Sequence, residues 1–137
     1  MPALVDTSGL LALVDADDRQ HHAVRSFVEA TPEALLVPMT VLPKADCLIG
    51  ARLGVRIELA VLRAIAVGEL GFETLTREDL ERCIDLIQQY ADSDIGFVDA
   101  SIVAIAERLR VTRVLTLDHR HFRMFRPRHC PAFDLVP

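Results

Sequence analysis

Three aspartates stand at or just past apolar runs in this chain. Asp6 follows Ala3-Leu4-Val5, Asp99 follows Ile95-Gly96-Phe97-Val98, and Asp118 follows Val114-Leu115-Thr116-Leu117. One carboxylate beside a buried segment is often structural; three suggest convergence on a common point. In an open α/β sheet that point is the crevice at the carboxyl ends of the strands, where ligands bind. Carboxylates gathered there repel one another unless a hard divalent cation holds them, and Mg²⁺ or Mn²⁺ takes such oxygen ligands. Each acid also has a plainer reading. Asp6 could cap the helix that follows it, and Asp118 the short helix after it. Asp99, within an apolar helical run, is harder to explain that way.

The elements that must position these acids follow from the hydrophobic pattern. Ala3 to Val5 reads as a first buried strand, and Thr7-Ser8 as the cap of a helix through Ala16. His21 to Ala30 reads as a second helix with Val24, Phe27 and Val28 on one stripe, broken by Thr31-Pro32. Leu35 to Val37 is a short strand. Thr40 is the expected N-cap of a helix reaching Arg52, with Pro43 tolerated in its first turn and Gly54 ending it. Glu58 to Val67 makes another helix, and Phe72 to Leu75 a strand candidate. Thr76 opens a helix with acids in its first turn that runs to Tyr90. Phe97 to Leu109 is apolar on several faces and should be central. Arg113 to Leu117 is the next strand, and Phe133 to Val136 a last, edge strand. Strands alternating with helices predict an α/β fold, a parallel central sheet flanked by helices.

Composition narrows the function classes. A length of 137 residues suits one domain with a full core, and 51% apolar residues with 5% aromatics predict an aliphatic interior. The net charge of −5 argues against a free-standing duplex binder, which is usually basic. It leaves nucleic acid open, because a bound metal or a local arginine cluster reverses the field at one site. Cys47, Cys83 and Cys130 are odd in number and lack metal-type spacing, which favours a reducing compartment. With no leader-like N-terminus and no apolar stretch of membrane-spanning length, a soluble cytoplasmic protein is expected.

Val5-Asp6-Thr7-Ser8, Gly96-Phe97-Val98-Asp99-Ala100-Ser101 and Leu115-Thr116-Leu117-Asp118, ending in Phe122, resemble the motifs of PIN domains. More narrowly, they resemble those of VapC-type toxins of bacterial toxin–antitoxin pairs. Each motif alone is weak, but all three in order make a strong signal, and the similarity extends through residues 39–54. The resemblance implies a single PIN-like domain over residues 1–137 and a Mg²⁺- or Mn²⁺-dependent endoribonuclease. It also implies inhibition by a VapB-like antitoxin, a homodimer, no membrane association, and contact with DNA only through the antitoxin.

The chain departs from the family pattern at one acid. The second of four acids is expected as Glu in the run Val41-Leu42-Pro43-Lys44, where Lys44 stands instead. Asp46, two residues on, lies roughly 200° further round a helix and should point elsewhere. Three carboxylates and one ammonium sum to −2, against −4 with Glu. At about 5 Å and an effective dielectric near 20, one unit of charge against another is worth roughly 3 kcal/mol before screening. Metal affinity should fall, and the Lys44 ammonium could occupy the cation's place. The chain is then either a naturally impaired member or one silenced by substitution.

The resemblance and the remaining residues together suggest metal-assisted phosphodiester hydrolysis. Asp6 and Asp99 would ligate the metal, with Asp118 on a second ion or an intervening water, and the ion would lower the pKa of the attacking water. Thr7 and Ser8 could donate to a carboxylate or the scissile phosphate, Thr116 could orient Asp118, and Asp94 could reach the rim. Capping is an equal reading for Thr7, Ser8 and Thr116. His119, Arg120 and His121 read first as surface and second as RNA-phosphate contacts. Arg123, Arg126 and Arg128 with His129 form a basic run, the best candidate for a backbone-binding rim. Leu48, Leu59, Leu62 and Ile65 read as core or as a groove for an amphipathic antitoxin segment. A receiver domain would need an acidic pair near the first strand and a lysine after the last. A haloacid-dehalogenase-type phosphatase would need Asp-x-Asp where Asp6-Thr7-Ser8 stands. Two functions remain: a metal-dependent ribonuclease toxin, and a catalytically silent PIN-fold module that binds an antitoxin.

Overall fold

A computed structural model describes residues 2–31 and 34–137. Pro32, read above as a helix breaker, lies outside the described residues. The elements run β1 (Ala3–Val5), α1 (Thr7–Val14), α2 (His21–Ala30), β2 (Leu35–Pro38), α3 (Leu42–Leu53) and α4 (Val55–Ala66). They continue through β3 (Gly71–Glu73), α5 (Arg77–Gln89), a short 3₁₀ turn (Ala91–Ser93), α6 (Phe97–Leu109), β4 (Arg113–Leu115), α7 (His119–Met124) and β5 (Asp134–Val136). The sheet is parallel throughout, in the order β3-β2-β1-β4-β5. β1 is central, with Ala3 opposite Leu35 on one side and Arg113 on the other.

That order reverses at β1, since the chain builds outward to β3 and then returns to add β4 and β5 on the far side. The crevice between β1 and β4, at their carboxyl ends, is thus the place where such sheets bind ligands. Asp6 leaves β1 there and Thr116 leaves β4 there. A parallel sheet must be covered on both faces, and its strands are accordingly apolar without alternation: Ala3, Leu4 and Val5 are all buried. α6 is the central helix that the pattern predicts, with Ala100 to Ala106 buried without interruption. It runs back along the sheet, so its first turn, with Asp99, comes up at the same crevice.

Local chemistry differs from expectation at two helix starts. α1 is capped by Asp6 itself, whose carboxylate accepts the Gly9 N–H at 2.9 Å. Thr7 and Ser8 already lie inside the helix. Thr40 does not cap α3; Val41 occupies that position without a side-chain cap. The Ser101 hydroxyl donates to the Val98 carbonyl, so Thr40 donates to Ser101 Oγ at 2.6 Å. This bond ties the start of α3 to the N-terminal half of α6, and Lys44 and Asp99 line the same cavity. The capping box expected at Thr76 is present, with Asp79 as its reciprocal partner. Gly9 lets α1 approach the sheet closely, because a Cβ there would collide with the Leu115 carbonyl oxygen. A larger residue would push Asp6 away from Thr116.

α3 and α4 form a hairpin with its own small apolar cluster, in which Ile49 and Val61 pack on Leu11 of α1. Within the stripe read as core or groove, Leu48 and Ile65 pack against this cluster, whereas Leu59 is exposed. None of the three cysteines is in a disulfide, and burial pushes the Cys83 thiol up to about 11, which makes it inert. Among the described residues no helix is long and apolar enough to cross a membrane.

Candidate active site

The three aspartates meet at one cavity of about 560 Å³, lined by Asp6, Asp99 and Asp118 together with Lys44 and His121. Thr7, Ser8, Leu11, Leu48, Gly96, Phe97 and Val98 complete its wall. β1 and α1 deliver Asp6, the first turn of α6 delivers Asp99, and the β4–α7 connection delivers Asp118.

Asp6 is the most constrained of the three, only 7% exposed. Its Oδ1 accepts the Ser8 hydroxyl at 2.8 Å and the Gly9 N–H at 2.9 Å, and its Oδ2 accepts the Thr116 hydroxyl. Ser8 Oγ in turn accepts the Leu117 N–H at 2.9 Å, and Thr116 Oγ1 accepts the Asp118 N–H at 2.9 Å. Thr116 therefore aims the Asp6 carboxylate and also holds Asp118, through its backbone N–H. Both hydroxyls clamp the end of β1 to the end of β4. The bland readings of these residues hold alongside any chemical ones, since Asp6 caps α1 while it faces the cavity.

Asp118 caps α7 through the His121 N–H at 3.3 Å, and its Oδ2 lies 2.7 Å from His121 Nδ1. His121 thus belongs to the cavity, against the surface reading made from sequence. The signal was present: His121 stands three residues beyond Asp118, the spacing that faces a helix cap. His119 turns the other way, with its ring nitrogen Nε2 3.0 Å from the Thr116 carbonyl, beside Gln20 and Pro137.

Electrostatics favours an added positive charge. Burial pushes the Asp6 carboxyl above its ordinary range, the hydrogen bonds from Thr116, Gly9 and Ser8 oppose this, and the charge of Asp118 adds to it. Burial also raises Asp99; His121 draws it down, while Asp118 and Asp6 raise it further. Asp6 and Asp99 are thus less comfortable ionised because acids stand near them. Lys44 is exposed at the mouth of the cavity. Among the described residues no carboxylate forms an ion pair with it, and at that exposure solvent screens most of its field.

Other expectations fall elsewhere. The acids share a cavity, but among the described residues no group of three His, Cys, Asp or Glu side chains is gathered closely enough to hold one ion. Expecting a single coordination sphere overlooked that Asp118 already has a partner in His121 and that like charges separate when nothing bridges them. Asp94 is exposed, in a left-handed turn with φ 57°, and does not line the cavity. Asp46 turns to α4, where its hydrogen bond raises Glu58. The basic run near the C-terminus is split. The Arg126 guanidinium donates to the carbonyls of Arg123 and Phe125, Arg128 lines a separate cleft between α5 and α6, and His129 contacts the Val111 carbonyl. Arg120 is exposed. None of these four lines the carboxylate cavity.

Residues 3–126 match the PIN domain family. The chain is 37% identical over 134 residues to Ribonuclease VapC26 of Mycobacterium tuberculosis, covering 98% of this chain and 99% of that protein. Among solved structures it resembles M. tuberculosis VapC20, described as a sarcin–ricin loop cleaving toxin, with a TM-score of 0.78 and 22% identity over 86% of this chain and 91% of the other. It also resembles a toxin–antitoxin complex from Klebsiella pneumoniae, with a TM-score of 0.68 and 20% identity over 90% of this chain and 92% of that one. At those identities the two structures speak for the fold, while the ribonuclease relative speaks for the family. The chain belongs to the PIN-domain family, among its VapC-type ribonucleases.

Proposed function

We propose that the chain is the endoribonuclease toxin of a VapBC-type pair, that its activity depends on Mg²⁺ or Mn²⁺, and that Lys44 makes this particular chain slow. The observation that carries the reading is one cavity lined by Asp6, Asp99 and Asp118 at the sheet's crevice, in a chain 37% identical to a ribonuclease. The donor set fits a hard divalent cation: all oxygens, on carboxylates of which Asp6 and Asp99 are raised by burial and, to a lesser extent, by neighbouring acids. Asp6 and Asp99 would hold the ion, with Asp118 on a second ion or a water. When bound it would supply a Lewis acid that lowers the pKa of an attacking water and offsets charge at the scissile phosphate. Ser8, the Gly9 N–H and Thr116 keep Asp6 aimed, and His121 Nδ1 contacts the Asp118 carboxylate at 2.7 Å.

Asp99→Asn tests this from two sides. Cleavage of RNA in Mn²⁺ should fall to background, whereas the metal-free variant should melt higher than the parent at neutral pH. The sign follows from linkage. A carboxyl raised in the fold binds more protons folded than unfolded, so stability declines as pH rises from its ordinary value of 3.8 through the raised one. At pH 7 the full penalty is present, and the amide removes it. A variant that cleaves like the parent would sink the assignment of Asp99.

A second reading, a silent module that only binds an antitoxin, rests on Lys44. In either case the expected partner is a VapB-like antitoxin, with DNA reached only through it, in the cytoplasm, and with the toxin as a homodimer. Exposed Val55 and Leu59, one turn apart on α4, support an apolar landing point for an antitoxin helix. Co-expression with the neighbouring gene's product and light scattering should give a complex built on two toxin chains. A monomer that ignores that product would refute the partnership.

A further inference from the structure

Phe97 is the first residue of α6, and it is 43% exposed where it lines the carboxylate cavity. Most aromatic rings in this chain have a structural use: Phe122, Phe125 and Phe133 are buried against one another, and Tyr90 packs edge-on against Phe125. Phe97 takes no part in that cluster, and nearly half of it stays in water two residues from Asp99. Leu48 and Val98 extend the apolar side of the cavity, while Lys44 brings an ammonium to the same mouth. An exposed apolar ring and, beside it, a cation that pairs with no carboxylate among the described residues match one ligand chemistry next to a cluster of acids, an aromatic base carried on a phosphate.

Resting on the nuclease reading above, we propose that Phe97 is the platform on which a nucleobase of single-stranded RNA stacks, setting the scissile phosphate over the acids. Bases within an A-form duplex are already stacked and cannot reach such a ring, whereas unstacked bases of loops and single strands can. Base stacking on an aromatic ring tolerates any sequence, and losing it weakens binding about tenfold or more. Lys44 would contact the adjoining phosphate, so it would serve binding even where it hinders metal.

The chain contains no tryptophan, so Phe97→Trp creates a single fluorescent reporter at the rim. In EDTA, where nothing is cleaved, a single-stranded oligoribonucleotide should quench its emission. The same strand in a duplex, or an abasic strand with the same phosphates, should not. By anisotropy of a labelled strand, Phe97→Leu should bind about tenfold more weakly and Phe97→Tyr as well as the parent. Equal quenching by abasic or duplex RNA would overturn the proposal, as would full affinity in Phe97→Leu. So would a reporter that ignores RNA and shifts only when the neighbouring gene's product binds. Since the readout is binding, it separates from the nuclease reading: selective quenching in a chain that never cleaves would keep the stacking role and remove the activity.

Discussion

Lys44→Glu is expected to raise RNA cleavage by about 100-fold or more in Mg²⁺ or Mn²⁺, the largest change in activity that any single substitution here should produce. Preorganised charge at a reacting phosphate is commonly worth that much. The substitution moves the cavity from a sum of −2 to −4, counting Asp6, Asp99, Asp118 and position 44. Lys44 stands in the first turn of α3 and lines the same cavity as Asp99, so the new carboxylate would enter it. Lys44→Gln separates the two contributions: removing the cation alone should recover part of the divalent affinity and little of the rate. Titration calorimetry with Mg²⁺ beside a cleavage time course reads both. Adding Asp99→Asn to the Lys44→Glu chain should abolish what was gained. Should the Lys44 chain already cleave as fast as its Glu variant, the four-acid account of this cavity is wrong.

Arg82→Ala is expected to lower Tm by about 10 °C. Arg82 of α5 grips Glu107 of α6 as a fork, Nε to Oε1 at 2.7 Å and Nη2 to Oε2 at 3.1 Å, and both side chains are largely buried. Losing one partner of such a pair leaves a poorly solvated charge, at a cost of about 3 kcal/mol. A domain of this size loses roughly 3–4 °C per kcal/mol. Burial pushes the Glu107 carboxyl up, but Arg82 and the Arg128 N–H outweigh this and hold it below its ordinary 4.5. The pair's contribution is therefore fully present above that value and is lost as pH falls through the depressed one. Melting curves from pH 3 to pH 8 should show a large gap between parent and variant at neutral pH that closes in acid. Arg82→Met with Glu107→Gln should recover more than half of the loss, since no orphaned charge remains. A single variant as stable as the parent at pH 7 would show that the fork is decorative.

The parallel sheet and the convergence of Asp6, Asp99 and Asp118 were legible because both depend on local pattern. Short aliphatic strands ending in an acid announce their carboxyl edge, and the apolar run from Phe97 to Leu109 can only be central. What was not legible depends on which way a side chain turns after packing. Thr7 and Ser8 look like caps beside Asp6, yet the aspartate sits one residue earlier, where it reaches the Gly9 N–H first. His119 and His121 are interchangeable on paper. Phe122, fully buried against Phe125 and Phe133, anchors the short α7, and only His121 of the two lines the cavity. The basic run from Arg123 to His129 looks continuous in sequence, but the chain turns through it. Arg126 folds back onto carbonyls at the end of α7, and Arg128 emerges on another face.

The hydrogen bonds around Asp6 also bear on which ions the cavity can tell apart. An ionised carboxylate offers about four lone-pair sites. Ser8 and Gly9 take both on Oδ1, and Thr116 takes one on Oδ2. One acceptor position remains, on Oδ2, so Asp6 can give a cation a single bond and never a chelating pair. Calcium draws much of its affinity from carboxylates that bind through both oxygens, whereas magnesium prefers one oxygen from each and keeps several waters. An ion bound at Asp6 would therefore take one oxygen from it, a geometry that suits magnesium better than calcium.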